Sequence, residues 1–259
     1  MKMLLTSSAF WHDRLKASAI HLLLSLTIAA LAGLLVFGIW YPYPYREISG
    51  GRELFLIIVG VDVILGPFIT LAVFNLTKGW PVMRRDLMVV AFLQLAALSY
   101  GLWTVYVARP VHLVFEYDRF SVVHAADVAP QLLDKTPAGI TALPLTGPTL
   151  LSLRKFKDNN EMAEATLAAM LGAPLPARPD LWQPYADAVP DIVKAAKPAA
   201  QLKIRFPKEA ADIDRVLADA GRTAYNVVYL PLVGRKSFWT VFLDPITAQI
   251  VVTMPLDSF

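Results

Sequence analysis

Residues 54–74 read LFLIIVGVDVILGPFITLAVF. The stretch holds one charge, Asp62, and one proline, Pro67. A helix needs roughly 20 apolar residues to cross a hydrocarbon core, so this one is long enough. Two similar runs flank it. Ala17–Trp40 has no charge, and its polar side chains are Ser18, His21, Ser25 and Thr27. Leu87–Val107 has no charge and a single amide, Gln94. A buried core helix would explain any one run, but three within 107 residues predict a membrane protein. The expected fold is three α-helical transmembrane spans, followed by a soluble α+β domain with an antiparallel sheet. The expected boundaries are 1–110 for the three-helix region, with spans of about 17–40, 54–74 and 87–107, and 111–259 for the α+β domain.

The first run begins like a signal peptide, with Lys2, Arg14 and Lys16 ahead of it and Ala30-Leu31-Ala32 inside it. It continues apolar to Trp40, however, well beyond a signal peptide's apolar region, and reads as an uncleaved anchor. Basic residues then set the orientation. Lys2, Arg14, Lys16, Lys78, Arg84 and Arg85 lie on one side, against Arg46, Arg52 and Arg109 on the other. The N-terminus and the second loop are thus expected in the cytoplasm, and everything after Val107 outside it. Trp40, Tyr41, Tyr43, Tyr45, Trp103 and Tyr106 gather at the outer end, where amphipathic rings settle at a membrane interface.

The chain carries 24 Lys and Arg against 21 Asp and Glu. From Ala108 onward the two balance at 16 each, so the excess of +3 belongs to the membrane half. It marks topology rather than a nucleic-acid surface. Without cysteine, disulfides, thiol catalysis and zinc–thiolate sites are excluded. A domain of about 150 residues buries enough surface to do without them.

After Pro110, Val111, Leu113 and Phe115 alternate with His112, Val114 and Glu116, and Phe120 to His124 reads as a returning strand. Residues 126–157 predict loops with one or two short strands. Asn160 reads as the N-cap of a helix ending at Gly172, with Met162, Ala165, Ala169 and Met170 inward. The proline-rich stretch 174–198 predicts irregular chain with one short helix near Ile192. Pro207 opens a second helix, with Ile213, Val216, Leu217 and Ala220 on one face. Residues 225–232, 238–244 and 249–254 predict three strands.

Asp62 is the sharpest candidate. A carboxyl this deep in a span costs a few kcal/mol and faces a bundle interior or a partner. Helix rise puts Tyr100 and Ser99 at its depth, with His21 and Gln94 nearer the cytoplasmic end. Pro67 frees a backbone carbonyl and, with Gly60 and Gly66, lets another backbone approach. The spacings Ala29/Gly33 and Ala97/Gly101 suit close helix packing. Arg109 stands beside the third span and is expected to bind lipid phosphate or to pair with Glu116 or Asp118. Asp62, Pro67, Tyr100 and Arg109 are therefore the candidate partner or bundle contacts. No second acid stands near Asp62 for a proton relay or an aspartyl protease. No acid cluster at ligand spacing surrounds His112 and His124, so neither metal nor cofactor is expected. Nucleophile elbows and phosphate-binding loops are absent.

Several strings resemble the TfpX/TfpZ family of type IV pilin accessory proteins. They are Ile20-His21-Leu22-Leu23, Trp40-Tyr41-Pro42, Gly60 to Pro67, Gln94 to Gly101, Ala108 to Phe115, Tyr229-Leu230-Pro231-Leu232 and Trp239-Thr240-Val241. The resemblance implies a bacterial inner-membrane protein, not an enzyme, that works beside a type IV major pilin. Its implied role is to modulate pilus assembly or extension and retraction, with the lipid bilayer as its other partner and no nucleic acid. One alternative is a membrane-anchored periplasmic sensor or scaffold binding a small ligand or envelope component, with Trp182 and Tyr185 lining its pocket. Another is a subunit of a transporter or membrane enzyme that uses Asp62 as its acid.

Overall fold

A computed structural model describes residues 2–75 and 78–259. The chain divides into two compact units. One comprises Met1–Ile39 and Gly51–Val107, the other Trp40–Gly50 and Ala108–Phe259. Four helices open the chain: α1 (Lys2–Leu35, continued by a wider turn over Val36–Trp40), the short α2 (Tyr45–Ile48), α3 (Gly51–Val73) and α4 (Trp80–Val107). The segments Trp11–Trp40, Gly51–Val73 and Trp80–Val107 are long and apolar enough to cross a membrane. The three long apolar helices expected from the sequence are therefore present, ahead of a sheet-containing domain.

In the helical unit α3 is central. It packs along both α1 and α4, whereas α1 and α4 hardly meet. Small residues make the approaches close. A Cβ on Gly33 would lie 3.3 Å from the Phe55 ring, and one on Gly101 would lie 2.7 Å from Ile58. A Cβ on Gly66 would strike the Gln94 amide, whereas Gly60 faces open space. Of Gly60 and Gly66, only Gly66 is needed for a close approach. Leu23, Leu34, Phe68 and Phe92 point outward, as apolar side chains do on helices solvated by lipid.

The second unit is built on a sheet of β1 (Pro110–Glu116), β2 (Arg119–His124), β3 (Thr149–Leu153), β4 (Trp182–Pro184), β5 (Lys197–Pro198), β6 (Val228–Val233), β7 (Phe238–Leu243) and β8 (Ile250–Met254). The order is β4-β3-β1-β2-β6-β7-β8, with β5 also paired to β6. Most pairs are antiparallel, as expected, but β1–β3 and β2–β6 are parallel. Four helices complete the unit: α5 (Asn159–Met170), α6 (Val189–Ala195), α7 (Ala200–Arg205) and α8 (Ala210–Asp219).

Both sheet faces are covered, so β1 and β2 are buried almost throughout. Leu113 and Phe115 face a cluster with Phe120, Ile192, Leu232 and Trp239. Val114 faces the opposite way, towards Leu151, Ala165, Leu181 and Trp182. Val111 joins this second cluster rather than alternating with Leu113, because the β1–β2 register shifts between Pro110 and His112. A third cluster seats α7 and α8 through Leu202, Ile213 and Leu217 against Tyr229 and Phe242.

Several local expectations are corrected. Asp158, not Asn160, caps α5, accepting from the Glu161 amide at 2.8 Å. Within α5 only Ala165 is buried, and Met170 is 81% exposed. The helix expected after Pro207 begins only at Ala210, and a separate α7 precedes it.

Segment 40–50 is the larger surprise. Tyr41 and Ile48 are fully buried within the second unit, and Tyr45 packs on the first cluster. Ile48 fills the space that a side chain on Gly234 would need, and its carbonyl accepts the Lys236 amide at 2.9 Å. Tyr41 and Tyr45 are therefore core residues, not part of an interfacial belt. Burial pushes the hydroxyl of Tyr45 up to about 12 and raises that of Tyr41 as well.

Candidate functional site

The helical unit carries a polar seam. On α1, Ser18, His21 and Ser25 fall three and four residues apart, and therefore on one face. Ser18 Oγ donates to the Pro67 carbonyl at 2.9 Å. The ring Nδ1 of His21 meets Thr70 Oγ1 at 2.5 Å. Ser25 and Thr70 are 3% and 2% exposed. From α4, Gln94 Nε2 reaches the Asp62 carboxylate oxygen Oδ1 at 3.4 Å and the Asp62 carbonyl at 3.5 Å. Asp62 lies eleven residues from either end of α3, and Gln94 is at the middle of α4. The two therefore share the mid-depth of the bundle.

The fold thus brings Gln94, not Tyr100, to Asp62. The expectation measured depth from the ends of the apolar runs, but α3 begins at Gly51 and takes Arg52 and Glu53 into its first turn. That offset shifts the α3–α4 register towards Gln94. Tyr100 is 70% exposed on α4, with its ring 6.0 Å from that of Trp103. Pro67 is buried inside α3. Thr70 is the seam residue that sequence reading missed. Its position eight residues after Asp62 is a rotation of roughly 80° on the helix, at the edge of one broad face.

A cleft of about 450 Å³ opens between α1, α3 and α4. Apolar residues such as Leu24, Ile28, Leu95 and Leu98 line it, together with His21, Ser25, Asp62, Thr70 and Gln94. A second cleft, of about 460 Å³, lies between α3 and α4, and Tyr100 lines it.

Arg109 behaves differently from the lipid or ion-pair contact expected of it. It is 2% exposed and turned inward, donating from Nε and Nη2 to the Pro144 carbonyl at 3.3 and 3.1 Å. Asp118 pairs with Arg119, and Glu116 accepts from Ser121. His112 holds the same loop, with Nδ1 to Thr149 Oγ1 at 2.7 Å and Nε2 to the Ala142 carbonyl at 2.9 Å. Burial lowers the His112 imidazole to about 4, against the opposing pull of the Ala142 bond. Arg109 and His112 thus pin residues 142–149 beside β1.

His112 and His124 do not face each other. Their register partners are Val123 and Pro110. His124 Nδ1 bonds Asp127 at 3.1 Å, and the other Asp127 oxygen accepts from Arg235 at 2.7 Å. No group of three metal-ligating side chains occurs among the described residues. Trp182 and Tyr185, expected to line a ligand pocket, are structural. The Trp182 indole donates to the Pro176 carbonyl at 2.8 Å, and the Tyr185 hydroxyl donates to the Ala248 carbonyl at 2.6 Å.

Three apolar helices with a polar seam, joined to a mixed-sheet domain, define a membrane-anchored protein of two units. The profile described as "Fimbrial assembly protein FimB" matches residues 9–50. The serogroup I fimbrial assembly protein of Dichelobacter nodosus is 37% identical over 249 residues, covering 94% of this chain and 95% of the relative. The serogroup E1 protein of that organism is 37% identical over 250 residues, covering 94% and 95%. The protein of serogroups C1 and C2 is 43% identical over 122 residues, covering 47% of this chain and 91% of the relative. The chain belongs to the family of fimbrial assembly proteins, and the resemblance to pilus accessory proteins is borne out at that level. No solved structure matches it.

Proposed function

We propose that the chain is a non-enzymatic accessory factor of the bacterial inner membrane, which contacts a type IV pilin and modulates pilus assembly or extension and retraction. One observation carries the reading. Likeness to fimbrial assembly proteins runs through 94% of the chain, so it spans the helices and the soluble unit together. A partner in pilus biogenesis has both a membrane-embedded helix and a head outside the cytoplasm, and two such units suit both.

The orientation draws support from connectivity. Segment 40–50 and residues 108–259 form one compact unit, so the loop after α1 and the chain after α4 lie on one side of the membrane. The six-to-three distribution of basic residues favours the periplasm for that side. Within this reading Asp62 meets a partner helix, Pro67 serves as a bundle contact through its carbonyl bond to Ser18, and Tyr100 stays available on the separate α3–α4 cleft. Arg109 acts indirectly, by holding the 142–149 loop. Arg109, His112, Trp182 and Tyr185 of the soluble unit bond backbone carbonyls, an arrangement that suits a binding scaffold.

Deletion of the gene tests the proposal. Surface pili and twitching should fall sharply and return on complementation. Normal piliation and motility in the deletion strain would sink it. An alkaline phosphatase reporter fused after Phe259 should be active, and an inactive fusion in a stably inserted product would refute the orientation.

A further inference from the structure

The trough between α1 and α4 is walled on two sides and floored by α3, which packs along both neighbours while they hardly meet. Its walls are aliphatic, with Leu24 and Ile28 on α1 facing Leu95 and Leu98 on α4. Its floor is polar at one level, where Asp62 and Gln94 stand at the middle of their helices. We propose that this trough receives the membrane-embedded helix of the fimbrial subunit, and that Asp62 and Gln94 hydrogen-bond a polar side chain on it. The proposal deepens the pilus reading and rests on it.

Complementarity selects the occupant. Lipid tails supply neither donors nor acceptors, so a polar floor facing them loses hydrogen bonds in hydrocarbon. The contact between Gln94 and Asp62, at 3.4–3.5 Å, is at the far limit of hydrogen bonding. Much of the bonding capacity of an amide and a carboxyl therefore remains for a third group. A chain that enters hydrocarbon must satisfy its own backbone, so the occupant is a helix. It is apolar along the Leu24, Ile28, Leu95 and Leu98 walls and carries one hydroxyl, amide or carboxyl at mid-depth. A second copy of this chain suits the trough poorly, because its α1 and α4 already wall a trough of their own.

Site-specific photo-cross-linking in cells assembling pili tests the idea. Probes at Leu24 and Leu95 sit in the trough, and probes at the equally exposed Leu23 and Phe92 lie outside it. Adducts with the major pilin should be several-fold stronger from Leu24 and Leu95. They should fall in an Asp62→Leu/Gln94→Leu double variant of normal abundance and persist in Asp62→Asn. Equal labelling from all four positions, or adducts only between two copies of this chain, would overturn the trough. Pilin adducts confined to soluble-unit probes, such as Ile204 or Tyr225, would overturn it while leaving the pilus reading intact. No pilin adduct anywhere, with normal piliation in the deletion strain, would remove both.

Discussion

The two units differ in how many of their large apolar side chains they leave exposed. In the sheet domain the interior is aliphatic and aromatic, with Phe120, Leu230, Leu232, Phe242 and Ile213 withdrawn from the surface. In the helical unit many large apolar side chains, such as Leu23, Leu34, Phe68 and Phe92, face outward, and Ser25 and Thr70 are enclosed along with Phe55, Met83 and Val90. The difference reflects the solvent. Water drives apolar surface inward in one unit. Lipid provides no such drive, so the helices of the other associate through small residues and hydrogen bonds. The same substitution should therefore have different consequences in the two units.

Truncating a core aromatic gives the largest contrast. Trp182 is 1% exposed, packs 4.5 Å from the His112 ring and bonds the Pro176 carbonyl. Trp182→Ala should destabilise the sheet domain by about 3–5 kcal/mol. Phe92→Ala, on an outward face of α4, should change folding stability little. Circular dichroism melts and limited proteolysis of the detergent-solubilised full chain would compare them. Equal losses would mean that Phe92 is packed against protein and that the inside-out contrast is wrong.

Acid should separate the units next. Buried His112 has its imidazole lowered from 6.5 to about 4. The unfolded chain takes up a proton below pH 6.5 that the folded chain refuses until about 4. Stability is therefore unaffected above pH 6.5 and falls as the pH drops through that window, by up to about 3 kcal/mol. His124 is also lowered by burial, despite its bond to Asp127, and acts in the same direction. Chemical denaturation at pH 7 and pH 4.5 should show the loss in the sheet domain, and His112→Gln should remove most of the slope. An unchanged slope in that variant would refute the assignment.

Enlarging a small residue should reverse the contrast. A side chain at Gly66 collides with the Gln94 amide and comes within 3.1 Å of the His21 ring. Gly66→Val should destabilise the helical unit by about 1–3 kcal/mol, as overpacking does. The same change at Gly60, which faces open space, should be tolerated. Protease resistance of the membrane fragment would report both, and equal tolerance at the two sites would contradict the packing.

These asymmetries explain what could be read in advance. The spans were legible because hydrophobic length is a local property. So were the β1–β2 hairpin and the β6–β7–β8 meander, in which sequence neighbours pair. The parallel β1–β3 contact was not, since β2 and a stretch without periodicity separate its partners His112 and Thr149. Segment 40–50 was misread for a chemical reason. Tyr41 and Tyr45 have the amphipathic character that suits a membrane interface, and the same character suits a buried ring with a polar tip. Asp62 stands out on cost alone, but its contact with Gln94 depends on helix register, which run ends do not define.

The smallest effect should come from Asp62 itself, and it sharpens the comparison most. Asn keeps an oxygen for Gln94 Nε2 and adds a donor, so Asp62→Asn should preserve the seam. The expected change in bundle stability is below about 1 kcal/mol, the scale of single hydrogen bonds between membrane helices. Abundance and melting of the solubilised variant should match the wild type, and piliation should persist. If Asp62→Asn were as abundant as wild type yet assembled no pili, hydrogen bonding would not suffice. The carboxyl's ability to ionise or exchange a proton would then be the property that matters, and the helical unit would be doing chemistry as well as packing.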